Sequence, residues 1–159
     1  MREIKNINEN WQFSKDNSNW VEINLPHTWK GADGQDGGND YYRGKCYYKK
    51  TIDASDMKGD ELFVKFYAVN SSCEVFFNGK QIGKHDGGYS AFTLELPAKQ
   101  GELTVEVDNS PNDRVYPQQA DFTFYGGIYR DVELISVPKN HFMDDFFILL
   151  QLLKMLMPK

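Results

Sequence analysis

At 159 residues the chain is long enough for one domain and a small appendage, and can bury roughly 70% of its unfolded surface without a metal or disulfide staple. A net charge of −5 argues against nucleic acid and against an anionic membrane surface as partners. Aromatic residues make up 14% of the chain, as expected for a sheet core that also exposes rings.

Taken in order, the elements read as strands. Trp11 to Phe13 is a short one, and the alternation from Trp20 to Leu25 predicts another that Pro26 ends. Residues 31–40 form a glycine- and aspartate-rich loop without a phosphate-binding signature. Asp33, Asp36, Asn39 and Asp40 are of a type that ligates calcium, but their spacing fails the EF-hand pattern, so no metal is assigned. A strand from Lys45 to Ile52 places Cys46, Tyr48 and Ile52 on one face. Leu62, Val64, Phe66 and Ala68 alternate with Phe63, Lys65 and Tyr67, which predicts a strand packed on its even side. Cys73 to Phe77 and Lys80 to Lys84 flank Asn78-Gly79, a hairpin turn whose two central positions need positive φ. Residues 85–89 read as a second glycine-rich loop, and Ser90 to Leu96 as a strand. The next strand points Leu103, Val105 and Val107 inward. Asn109 to Ala120 is a polar loop broken by Pro111 and Pro117.

The two cysteines, Cys46 and Cys73, lie far apart in apolar runs and read as buried thiols; export would make a bridge between them a minority alternative. Met1 to Asn6 leads into polar sequence with no secretion signal. Localisation stays open: periplasmic or extracellular if a leader was removed, cytoplasmic otherwise.

The chain from Ala120 to Leu134 opens as a loop, turns through Gly126 and Gly127, and runs out as a strand from Ile128 to Val137. Val132 and Leu134 share one side of it. Asp121 precedes an aromatic run and this glycine turn, a firm support for a carboxylate that reaches towards a ligand. An ordinary loop carboxylate fits the same stretch. No helix periodicity occurs before Pro138. Many short strands between turn signals predict an all-β sandwich or jelly roll, with the Leu62 and Leu103 faces packed on each other.

Residues 139–159 break this pattern. The run from Phe146 to Met157 is apolar on nearly every side, rich in helix formers and too short to span a bilayer. A helix packed on the sandwich, self-association through this run, disorder, and sequence foreign to the domain are the readings it leaves open.

From Trp11 to Val137 the chain resembles the N-terminal sugar-binding domain of glycoside hydrolase family 2, the beta-galactosidase and beta-glucuronidase family. The resemblance lies in an ordered set: Leu25-Pro26-His27-Thr28-Trp29; Tyr42-Arg43-Gly44 with Tyr47-Tyr48; the hairpin from Val69 to Gly83; His85-Asp86-Gly87-Gly88-Tyr89; and Asp121-Phe122 through Gly127-Ile128-Tyr129-Arg130-Asp131-Val132. It implies a galactose-binding-domain-like jelly roll over residues 1–138. It also implies a parent in which an immunoglobulin-like domain and a TIM barrel follow. That barrel would carry two catalytic glutamates about 5 Å apart for a retaining mechanism. Neither glutamate is read in these residues, so no catalytic residue and no cofactor is assigned.

The implied role is a wall of the pocket for a terminal β-linked sugar. By resemblance Asp121 is the carboxylate that reaches towards that sugar, and an ionised carboxylate accepts two sugar O–H donors strongly. Asn109, Arg114 and residues 34–40 are weaker candidates for the same rim. Arg130 is expected to pair inside the fold, and His27, Trp29 and His85 to pack or fix loops. The motifs suit glucuronidases as well as galactosidases; Arg130-Asp131-Val132 leans towards beta-galactosidase. A stand-alone carbohydrate-binding module is the alternative, favoured if tyrosines such as Tyr41, Tyr42, Tyr89 or Tyr125 form an exposed platform.

Overall fold

The computed structural model describes residues 1–29, 42–116 and 123–141. Within them the chain forms β1 (Glu3–Asn6), β2 (Trp11–Ser14), β3 (Val21–Ile23), β4 (Lys45–Asp53), β5 (Glu61–Phe66), β6 (Ser72–Phe77), β7 (Lys80–Asp86), β8 (Phe92–Leu96), β9 (Gln100–Asp108) and β10 (Val132–Val137). One sheet has the order β1-β10-β5-β8 and the other β3-β2-β4-β9-β6-β7. Every pairing is antiparallel. This is the all-β sandwich that the alternation predicts, with no helix among the described residues.

The core lies between the sheets. Leu62, Val64 and Phe66 of β5 belong to one sheet; Leu103, Val105 and Val107 of β9 belong to the other, and all six sit in a single buried cluster. Removing each such side chain from water stabilises the fold by about 1.5–3 kcal/mol. Cys46, Tyr48 and Ile52 of β4 are buried in the same cluster. The β6–β7 hairpin turns through Asn78 at φ 49° and Gly79 at φ 76°, as the dipeptide requires.

β3 and β8 are shorter than the alternation suggests, and three further boundaries differ from the sequence reading. β1 forms where the opening residues look only polar: Ile4 pairs with Ile135 at a sheet edge, through a ladder that needs no apolar alternation. β7 continues through His85 and Asp86, which pair with Cys73 and Ser72 instead of opening a loop. The last strand begins at Val132, not Ile128, because Gly127 takes φ 139° and binds Asn70 as an isolated bridge. Arg130, expected to pair inside the fold, is exposed, with its guanidinium 5.7 Å from the Tyr129 ring centroid.

Cys46 and Cys73 are free and buried. Both are in register with Val107, on opposite sides of β9, which puts them about 10 Å apart. A disulfide needs Cα atoms within roughly 7 Å, so these two cannot join across the intervening strand. Burial pushes the Cys73 thiol up to about 12, which keeps it protonated and unreactive. The loop of residues 31–40 and the run from Phe146 to Met157 lie outside the described residues.

Strand register fixes where the site forms. Lys45, Asp108, Ser72 and Asp86 are in register at one end of the larger sheet, and Val132, Phe66 and Phe92 at one end of the smaller. The short crossovers 67–71 and 87–91 join the two sheets there, so the connection before β4 and both ends of the β9–β10 connection lie at the same end.

Candidate functional site

The connections at this end are tied to one another before any ligand is considered. Asn70 and Gly127 exchange backbone hydrogen bonds, Asn70 N to Gly127 O at 3.0 Å and Gly127 N to Asn70 O at 3.1 Å. The Asn70 side-chain amide donates to the Tyr125 carbonyl. Thr28 Oγ1 donates to the Gly126 carbonyl at 2.8 Å, His27 N to Ile128 O at 2.8 Å, and the Tyr129 hydroxyl to the Gly88 carbonyl. Burial raises the Tyr129 phenol and keeps it a donor.

The two glycines of the turn have separate reasons to be glycine. A Cβ on Gly126 would run into the Trp29 ring, whereas Gly127 needs positive φ and lies against the His27 carbonyl and the Tyr48 hydroxyl. His27 Nδ1 and the Tyr48 hydroxyl are 2.9 Å apart, and burial lowers the His27 pKa, which holds the ring neutral. His85 stacks on Phe92 at 4.3 Å between ring centroids. His27, Trp29 and His85 therefore pack and fix loops, as expected.

Asn109 stands at the centre of this arrangement and is 1% exposed. Its Oδ1 accepts from Gly44 N at 2.9 Å, its Nδ2 donates to Phe124 O at 2.8 Å, and its own carbonyl accepts from Arg43 Nε at 3.0 Å. The Arg43 guanidinium lies 4.6 Å from the Phe124 ring centroid. One amide thus joins the chain before β4 to the loop before β10.

These ties frame a cavity of about 680 Å³. Its wall is mainly aromatic, with Tyr89, Tyr116, Phe124, Tyr125 and Tyr129 joined by Arg43 and Asn109. Tyr89 and Tyr116 are the most open of these, at 71% and 72% exposure. No described carboxylate lines the cavity.

The residues expected from sequence are divided by this geometry. Asn109 lines the cavity, with both polar side-chain atoms held by backbone groups. Arg114 lies in a separate charged groove, its Nε 3.0 Å from Asp86 Oδ1. The Ser72 hydroxyl lowers the Asp86 pKa most, burial opposes it, and Arg114 adds to the lowering. Asp121 and residues 34–40 lie outside the described residues; Tyr116 and Thr123, on either side of the Asp121 segment, both line the cavity. Glu102 and Glu106 are on β9 and pair with Lys49 and Lys45, away from this cavity. Among the described residues no group of His, Cys, Asp or Glu is arranged to hold a metal.

Sequence reasoning passes over Arg43, Asn70 and Tyr129 as site residues. Arg43 stands in the Tyr42-Arg43-Gly44 motif, so the motif marks it, although only the folded chain reveals its partner across 66 residues. Asn70 looks like an ordinary turn residue until Gly127 is brought beside it.

The sugar binding domain of glycosyl hydrolases family 2 matches residues 35–138. The chain is 41% identical over 138 residues to a beta-glucuronidase of Bacteroides fragilis, covering 81% of this chain and 20% of that protein. It is 32% identical over 153 residues to a beta-galactosidase of Thermoanaerobacterium thermosulfurigenes, covering 84% of this chain and 21% of that protein. Its fold superposes with a TM-score of 0.79 and 38% identity on an FMN-binding beta-glucuronidase from Facaelibacterium prausnitzii L2-6, over 87% of this chain and 23% of that one. The chain therefore spans about a fifth of the length of the curated relatives it matches.

Proposed function

The chain belongs to glycosyl hydrolases family 2 through its sugar binding domain, and from that premise we propose that it serves as one wall of the sugar pocket of a retaining exo-β-glycosidase. It is not a catalyst by itself; the paired glutamates come from the barrel of the parent enzyme. The observation that carries this reading is the preformed cavity lined by Tyr116 and Thr123, the described residues nearest to Asp121 in sequence on either side. Asp121 supplies a carboxylate for two hydroxyls of the terminal sugar. Asn109 acts beside it by holding Phe124 and Gly44 in place, whereas Arg114 lies in the neighbouring charged groove, paired with Asp86.

The sugar we favour is a β-glucuronide. Two glucuronidases, at 41% and 38% identity, are nearer to this chain than the Thermoanaerobacterium thermosulfurigenes galactosidase at 32%. This sets aside the lean towards β-galactoside drawn from Arg130-Asp131-Val132. The exposed rings of Tyr89 and Tyr116 support a second reading, a stand-alone carbohydrate-binding module.

The test is a graft. The chain replaces the corresponding domain of the Bacteroides fragilis relative, and Asp121→Ala is then introduced. Losing two charge-assisted hydrogen bonds to the sugar should lower kcat/KM by roughly 10²–10³-fold. A graft that keeps its activity without the Asp121 carboxylate would remove that residue from the pocket.

A further inference from the structure

One face of the smaller sheet is buried without belonging to the core. Side chains alternate along β10, and Val132 and Leu134 point into the cluster between the sheets. Ile135 and Val137 therefore point outward, yet they are only 2% and 1% exposed, and neither belongs to that cluster. A comparable strand of the larger sheet behaves differently. On β4 the outward residues Lys45, Tyr47, Lys49 and Thr51 are exposed or half-buried, as on a face that meets water. Ile135 is in register with Ile4 of β1 and Phe63 of β5, so an apolar rung crosses three strands on the outer side of the smaller sheet.

The chain itself leads onto this face. β10 ends at Val137, whose partner is Glu61, at the end of the sandwich away from the cavity. Lys139 N then donates to Asp60 Oδ2 at 3.0 Å. His141 places Nδ1 3.3 Å from Glu61 Oε2 and its ring 5.5 Å from the Phe63 centroid. The backbone has thus turned from the end of β10 onto the outer side of β5, and residues 142–159 follow from that point. Residues 30–41 and 117–122 are joined instead to the opposite end, where Trp29 lies against Gly126 and Tyr116 and Thr123 line the cavity.

Reach and chemistry agree. From Phe146 to Met157 every residue except Gln151 and Lys154 is apolar. The residues between His141 and Phe146 can span up to about 18 Å, and the distance across the sheet from β5 to β1 is roughly 10 Å. So apolar a run needs cover from water, and an outward isoleucine this deeply buried needs a layer over it. We propose that Phe146–Met157 docks on the outer face of the smaller sheet of its own chain, over Phe63, Ile135 and Val137. His141, whose Nδ1 also donates to the Pro138 carbonyl at 2.9 Å, fixes the point of entry. The docked run closes an apolar rung that would otherwise be open to a second copy.

The experiment attaches a nitroxide to the full 159-residue chain through Lys154→Cys; the native Cys46 and Cys73 are buried and stay unlabelled. The backbone amide signals of the isotope-labelled chain are read before and after the nitroxide is reduced. Signals of Phe63, Lys65, Glu133 and Ile135 should be lost and should return on reduction, while those of Tyr47 and Thr104, on the outer side of the larger sheet, should persist throughout. A mixture of isotope-labelled wild-type chain with unlabelled chain carrying the nitroxide should show no such loss. Loss in the mixture would give the face to the same run of a second copy. Signals that persist at Phe63 and Ile135, or that fall equally on both outer faces, would leave the run undocked. Either result would overturn the assignment.

Discussion

Gly127→Ala should cost the domain about 3 kcal/mol or more, a large share of the roughly 5–15 kcal/mol that keeps a domain folded at room temperature. Two independent effects combine. The residue sits at φ 139°, where an L side chain is strained, and the added methyl would press on the His27 carbonyl and the Thr28 Cα. Both of those are backbone atoms, which have no rotamer to give way. Gly79→Ala is the informative control, because Gly79 also has positive φ, at 76°, but a Cβ there meets nothing within 4 Å. It should cost only about 1–2 kcal/mol. Urea titrations of the two variants separate strain from collision, and equal losses would mean that the packing of Gly127 against residues 27–28 carries no weight.

Asn109→Ala has the next largest expected effect, about 2–4 kcal/mol, and it falls on the site. The substitution leaves the Gly44 N–H and the Phe124 carbonyl without their partner in a buried place, and each stranded group costs about 1–3 kcal/mol. Asn109→Asp should not rescue the loss. A carboxylate still accepts from Gly44 but cannot donate to Phe124, and it brings a charge to a position that is 1% exposed. Arg114→Ala should cost less than about 1 kcal/mol, since its ion pair with Asp86 stands in solvent. Chemical denaturation of the three variants gives the ranking directly. A tolerant Asn109→Ala would show that Phe124 and the cavity wall are held by other contacts.

The sheets were legible because burial imposes a period on the sequence. Leu62, Val64 and Phe66 alternate, and they are buried in alternation; Asn78-Gly79 announces its turn through a φ requirement that few residues meet. β1 was illegible for the complementary reason. It is a sheet edge held by backbone pairing, with Ile4 more than half exposed, so no apolar rhythm marks it. The site was legible only in part. Asn109 can be picked out as a polar residue where a strand ends, yet its partners Gly44 and Phe124 come from opposite directions along the chain. The aromatic wall gathers Tyr89 from the β7–β8 connection and Tyr116 and Tyr129 from the β9–β10 connection, an assembly that local periodicity cannot express. Arg114 was expected at the same rim, but it pairs with Asp86 instead, on a turn in which Asn112 Oδ1 accepts from the Arg114 and Val115 amides.

The proposed role of this chain is to hold a terminal sugar with Asp121, which stands between Tyr116 and Thr123 in the sequence. It is tested most directly by titrating isotope-labelled chain with methyl β-D-glucuronide and following the backbone amides. A single wall of a pocket should bind weakly, with Kd of about 1 mM or above. The predicted result is a set of saturable shifts concentrated between Tyr116 and Thr123, lost in Asp121→Asn and smaller with methyl β-D-galactoside. Shifts that gather instead in the charged groove around Arg114 and Asp86, or that survive Asp121→Asn undiminished, would contradict it.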